Sequence, residues 1–310
     1  MGLAHLLNLA FVYSLCAFYS ALSLGRLALQ FFRRGPGIFK VQSRPSPPAV
    51  LTDPQLHPAL IHLSEVTLHY VQAGSADQPL MLFVHGFPEF WYTWRHQLRY
   101  FQDRYRVVAV DMRGYADSDK PRGKAAYAIE KLAGDLKELI EALGYEKAVV
   151  VSHDWGGVVC WQLAMQHPEV VQRLVVCNCP HPTAFRQAIR GGSWQQFLKS
   201  WYMFLFQAPL LPELLMRLED MKMMESMLRK PPVGTRNPQA FTDEDMEAWK
   251  YTFQQPGALT GPINYYRSAL TRNPAELKAK GPRPKVRPPV LIVWGTADAA
   301  IEQVGLGGAL

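Results

Sequence analysis

An aspartate stands at a tight corner in Ser152-His153-Asp154-Trp155-Gly156-Gly157. The β-branched run Val149–Val151 leads into the corner, and a run of helix formers leads out of it. Small residues at 152, 156 and 157 let a strand and a helix approach closely. This is the pattern of a nucleophile elbow, with aspartate at the centre where the usual G-x-S-x-G form has serine. A carboxylate needs no base to become a nucleophile, and a helix N-terminus favours its negative charge. It suits attack on a saturated carbon that carries an oxygen or halogen leaving group. The product is an alkyl ester of the enzyme. Taken alone, Asp154 fits a plain helix cap equally well.

A second corner shifts that balance. The segment "VHGFPEFWYTW" (84–94) follows the apolar run 80–84. His85-Gly86-Phe87-Pro88 stands where α/β hydrolases place a backbone oxyanion donor. The N–H groups of Phe87 and Trp155 would together hold a tetrahedral oxyanion. The loop "DMRGYADSDKP" (111–121) is read as structural.

The elements that must position these corners follow from periodicity. Residues 64–73 alternate apolar and polar, which predicts an antiparallel strand. Short apolar runs at 80–84, 105–111, 148–152, 173–178 and 290–294 predict strands buried on both faces. Helical patterns cover 130–143 and 157–167. The alternation predicts an α/β fold with a mostly parallel sheet. It breaks between Pro180 and about Pro289, where Trp, Tyr, Met, Phe and Pro abound. That stretch predicts a helical lid, at about 180–285, over the carboxyl edge of the strands, where open parallel sheets bind ligands.

Residues 3–24 contain no Lys, Arg, Asp or Glu, whereas Arg26, Arg33, Arg34, Lys40 and Arg44 follow. This predicts a single-pass membrane helix with the following side cytosolic. A cleaved signal peptide is the alternative reading. The chain then divides into an anchor with its basic flank (1–34), a Pro-rich linker (35–58) and a hydrolase domain (59–310). The 310 residues are 48% hydrophobic, enough for a large core, and the net charge is +7. No dense basic block with interleaved aromatics occurs, so nucleic-acid binding is a poor reading. The four cysteines lack zinc spacing and read as thiols in a reducing compartment. No metal site and no cofactor are predicted.

The segments "HGFPEFWYTWR", "DMRGYADSDKP", "SHDWGG", "CNCPHP", "QPGALTGPINYYR" and "VWGTAD" together resemble the α/β-hydrolase-fold epoxide hydrolases. The likeness covers about residues 60–298 and is nearest the membrane-anchored epoxide hydrolase 3 and 4 type. It implies that two lid tyrosines hydrogen-bond the epoxide oxygen. Tyr266, before the arginine of "NYYR", and Tyr202, in "WYMFLFQAP", match them. It implies that Asp298 is the acid that orients a histidine, and that Trp91, Trp155 and Tyr265 line the pocket. The apolar, aromatic lid points to a lipophilic substrate, such as an epoxidised fatty acid, and the resemblance implies a vicinal diol product and residence in the endoplasmic reticulum membrane.

One part of the resemblance is unmatched. The water-activating histidine is expected about 20–30 residues beyond Asp298. All nine histidines precede Asp298, and the tail "AAIEQVGLGGAL" has no strand pattern. The expectation is a C-terminally truncated form, without the final strand and helix, that alkylates Asp154 once and stalls. Strand 290–294 would then be an exposed edge. Two other readings stand beside this one: a haloalkane dehalogenase-like hydrolase, and a non-catalytic membrane-anchored pseudo-hydrolase.

Overall fold

The computed structural model describes residues 2–190, 194–273 and 284–301. The chain opens with α1 (Leu3–Arg34), which runs ten residues past the charge-free segment. It is long and apolar enough to cross a membrane. It lies along the lid, with Val12 and Cys16 buried. Residues 35–58 are strapped to the lid by Arg44, which pairs with Asp220 at 2.7 Å and Glu247 at 2.6 Å. Arg34 likewise pairs with Glu219 at 2.6 Å. Two of the five flanking cations are therefore spent on the protein itself.

The sheet has seven strands among the described residues, in the order β1-β2-β4-β3-β5-β6-β7. These are β1 (His57–His62), β2 (Thr67–Ala73), β3 (Leu80–Val84), β4 (Arg106–Val110), β5 (Ala148–His153), β6 (Val171–Cys177) and β7 (Val290–Val293). The first three in that order pair antiparallel, and the rest pair parallel. β1 was not legible: it begins at His57, inside the segment read as linker, and its residues are mostly exposed. An edge strand with one dry side lacks the long apolar run that reveals its neighbours. All five residues of β3 are buried.

Helices α2 (Arg95–Phe101), α3 (Ile129–Ala142) and α4 (Trp155–Gln166) cover the sheet. α3 buries Leu132, Leu136, Leu139 and Ile140 on one face. α4 is apolar nearly all round because it sits inside, with Val159, Cys160 and Leu163 fully buried. The stretch after β6 is helical: α5 (Pro182–Arg190), α6 (Trp194–Lys199), α7 (Trp201–Leu205), α8 (Leu211–Arg229), α9 (Asp243–Gln254) and α10 (Thr260–Leu270). No strand occurs there among the described residues, as a lid requires. α8 is broken at Leu218–Met221, where three successive residues are left-handed. α9 starts on a capping box between Thr242 and Asp245.

β7 is the outermost strand on its side among the described residues, with Leu291 59% and Val293 47% exposed. The expectation about a missing final strand and helix falls on residues 302–310, which lie outside the described residues.

Candidate active site

Strand β5 and helix α4 meet at Asp154, whose backbone has φ 50° and ψ −121°. A non-glycine residue in that region is strained, which is the signature of an elbow that thrusts one side chain out of the sheet edge. Close approach is bought by missing Cβ atoms. One added at Gly156 would lie 2.3 Å from the Val84 carbonyl oxygen, and one at Gly86 would lie 2.5 Å from Asp154 Cβ.

The loop after β3 supplies the partner. The Phe87 N–H donates to Asp154 Oδ1 at 2.8 Å, and the Trp155 N–H stands beside the carboxylate and favours its charge. Burial raises the Asp154 pKa above the usual carboxylate value. The His153 charge and the two N–H groups oppose that rise without cancelling it. Phe87, Trp155 and Asp154 thus stand together.

The lid closes over this point from α7 and α10. The Tyr266 ring lies 4.9 Å from Trp155, 5.2 Å from Phe87 and 5.7 Å from Tyr202, between centroids. Burial raises both phenol pKa values, and the Asp154 charge adds to the rise. Both hydroxyls keep their protons and can donate.

Other expected residues are placed differently. Tyr265 is fully buried and packs on Trp155 at 5.5 Å, but its hydroxyl donates to the Arg113 carbonyl at 2.8 Å. It backs Trp155, and its hydroxyl hydrogen is already committed. Trp91 stands farther along the same loop as Phe87. It lines a separate cavity of about 190 Å³ with His69, Phe90, Asp117 and Tyr251. Its N–H donates to Asp111, which also holds His69 at 2.7 Å. Trp91 makes ring contacts with Phe90 and Tyr92 instead of with the elbow aromatics. Asp298 lies at the same sheet edge, where its Oδ2 accepts from Asn178 at 2.6 Å and its Oδ1 accepts the Ala300 and Ile301 N–H groups. Among the described residues, no histidine hydrogen-bonds to it.

One network was missed by sequence reasoning. Glu89 Oε2 accepts the Gly86 N–H at 2.8 Å and His153 Nδ1–H at 3.1 Å. Burial works against both charges, yet the His153 charge, its hydrogen bond and the Gly86 N–H bring Glu89 down to about 2. Burial is likewise outweighed at His153 by Glu89, Asp154 and Asp298, which bring the imidazole up to about 9. The signal available was an acid inside an otherwise apolar turn, "HGFPEFW". Tyr115 was also passed over. Its ring packs 4.5 Å from His85 and 5.4 Å from Tyr265, and its buried hydroxyl has no hydrogen-bond partner among the described residues. No cluster of three or more metal-ligating side chains occurs among the described residues.

A mostly parallel sheet with a strained acid elbow and a helical lid defines an α/β hydrolase. A sequence model of the family described as alpha/beta hydrolase fold matches residues 79–306. "Epoxide hydrolase 1" of Caenorhabditis elegans is 48% identical over 277 residues, covering 89% of this chain and 66% of that protein. "Epoxide hydrolase 4" of Mus musculus is 40% identical over 305 residues, covering 97% and 83%. The crystal structure of a point mutant of an epoxide hydrolase from Bacillus megaterium aligns with TM-score 0.72 at 33% identity, covering 81% of this chain and 87% of that one. The chain belongs to the α/β-hydrolase-fold family, among its epoxide hydrolases, and is an enzyme by that resemblance.

Proposed function

We propose that the chain opens lipophilic epoxides through an ester on Asp154. The observation that carries this is the Phe87 N–H on Asp154 Oδ1 beneath two protonated phenols. A free carboxylate oxygen bonds to one epoxide carbon, and the C–O bond to the ring oxygen breaks. The electron pair stays on that oxygen, which takes a proton from Tyr202 or Tyr266. Water then adds to the ester carbon, and the new oxyanion is held by the Phe87 and Trp155 N–H groups. The tetrahedral intermediate expels the alkoxide, which is protonated to a vicinal diol. The carboxylate of Asp154 is restored, and the proton that water gives up in the net reaction returns to the tyrosinate.

The second step needs a base to take a proton from water. His153 is the histidine nearest the elbow, and its pairing with Glu89 keeps it protonated at neutral pH. While His153 stays protonated it supplies no such base, and the ester accumulates unless another group takes the proton. Asp298 is the acid of the hydrolytic step in the same reading. Two phenols at the roof support an epoxide over a haloalkane.

Attachment to the endoplasmic reticulum membrane through α1, with the hydrolase domain cytosolic, belongs to the same proposal. The charge-free helix followed by Arg26, Arg33 and Lys40 supports it. Incubation with a panel of fatty-acid and aryl epoxides, followed by intact mass and peptide mapping, tests the chemistry. An adduct on Asp154 is expected. A folded chain that gains no mass from any of them sinks the reading.

A further inference from the structure

Tyr202 and Tyr266 sit on separate helices, 64 residues apart in the chain. The proposed reaction needs both hydroxyls at one ring oxygen. α7 cannot place Tyr202 unaided, because it is only five residues long and so short a helix has little stability of its own. α10 has a firmer seat. The Tyr265 hydroxyl donates to the Arg113 carbonyl at 2.8 Å, which ties that helix to the loop after β4.

Two side chains with no part in the chemistry join α7 to α10. Arg267 follows Tyr266. Its Nε donates to the Phe206 carbonyl at 2.9 Å and its Nη2 to the Ala208 carbonyl at 2.7 Å. Both carbonyls lie past the end of α7, where partners must come from outside the helix. The same guanidinium meets Glu213 on α8 at 2.9 and 3.2 Å, and Asn264 at 3.3 Å. The Arg267 and Glu213 side chains are 14% and 12% exposed. Gln207 ties the helices in the opposite sense. Its Nε2 donates to the Tyr266 carbonyl at 3.2 Å and to the Met203 carbonyl at 3.0 Å. Phe206 stands between the phenols, with its ring 5.0 Å from Tyr266 and 5.6 Å from Tyr202.

We propose that Arg267, assisted by Gln207, is a positioning residue that sets Tyr202 against Tyr266 for attack on the epoxide. This rests on the reading given under Proposed function. All five Arg267 hydrogen bonds end on lid residues, so its effect reaches the reaction through the phenols. The planar fork is what the place demands. It spans two carbonyls and a carboxylate at once, which a lysine ammonium cannot do. The segments that carry the tyrosines, "WYMFLFQAP" and "NYYR", thus each contain the side chain that binds the other.

The test follows single-turnover ester formation by intact mass in the full chain. Arg267→Lys keeps the charge beside Glu213 and loses the fork. Attack is expected to slow by about 10–100-fold, as a small misplacement of a reacting group can do. The same substitution is then made in a chain carrying Tyr202→Phe and Tyr266→Phe. There it is expected to change the rate by less than about twofold, because residues that act as a unit are not additive. An equal loss in both backgrounds makes Arg267 purely structural and overturns the proposal. So does a full rate in Arg267→Lys. Gln207→Met carries the same cycle should Arg267→Lys not fold, with a loss of about fivefold expected. A second measurement does not need the reaction. Fluorotyrosine placed at position 202 is expected to give one fluorine resonance in the parent, and a shifted or split one in Arg267→Lys or Gln207→Met. An unchanged resonance overturns the proposal. A parent that forms no adduct removes the catalytic reading, while the fluorine spectrum still decides whether Arg267 sets the phenol.

Discussion

The Phe87 amide, 67 residues before Asp154 in the chain, donates to Asp154 Oδ1 at 2.8 Å. Two loops at the ends of neighbouring parallel strands, β3 and β5, meet at this bond. It pins one carboxylate oxygen. In the mechanism proposed above the other oxygen reacts, and the same N–H holds the oxyanion when the ester is attacked.

Asp154→Asn keeps the shape of the side chain and removes the nucleophile. Adduct formation should fall by about 10⁴-fold or more. The variant should remain folded, because burial already opposes the Asp154 charge. Intact mass after epoxide treatment, beside a circular dichroism spectrum, checks both halves. An adduct elsewhere in the variant would assign the attack to another residue.

Tyr266→Phe and Tyr202→Phe each retain the ring that packs against Phe206, at 5.0 Å and 5.6 Å. Loss of one donor to the ring oxygen should slow single-turnover ester formation by about 10²–10³-fold. The melting temperature should hardly move. A variant that keeps its full rate does not donate to the reacting oxygen.

The Glu89–His153 pair makes stability depend on pH in both directions. Glu89 is held at about 2 in the fold, against an unfolded value of about 4.3. Its contribution is present above that unfolded value and is lost as pH falls toward 2. His153 is raised to about 9, from an unfolded value of about 6.5. Its contribution is full below the unfolded value and is lost as pH rises through 9. The pair supports the fold most between about pH 4.5 and 6.5. Glu89→Gln should cost about 1–3 kcal/mol in that window, with the partly exposed His153 keeping the figure toward the low end. Melting temperature against pH for both chains gives the answer, and two parallel curves would show that the pair contributes nothing.

Gly156→Ala should be poorly tolerated. Its new Cβ meets two backbone oxygens, those of Val84 and His85, at 2.3 and 2.6 Å. Backbone cannot swing aside as a flexible side chain does, so a loss of about 1–3 kcal/mol is expected. Differential scanning fluorimetry of the purified variant reads it, and an unchanged melting temperature would show that strand and helix can separate locally.

What the sequence determined by itself is local and periodic. β3, β4 and β5 were legible because both their faces are dry, which demands unbroken apolar runs. The Asp154 elbow was legible because small residues must stand where strand and helix touch. The lid was legible as an interruption of that alternation. The tertiary structure alone decided which distant side chains share a neighbour. Tyr265 and Tyr266 are adjacent and chemically alike, yet one hydroxyl is taken by the Arg113 carbonyl, 152 residues away, and the other faces Tyr202. Trp91 belongs to a cavity beside His69, Glu89 joins His153, and α1 lies along the lid. No spacing rule encodes such pairings. They arise when packing brings separate elements together and each buried polar group must find a partner there.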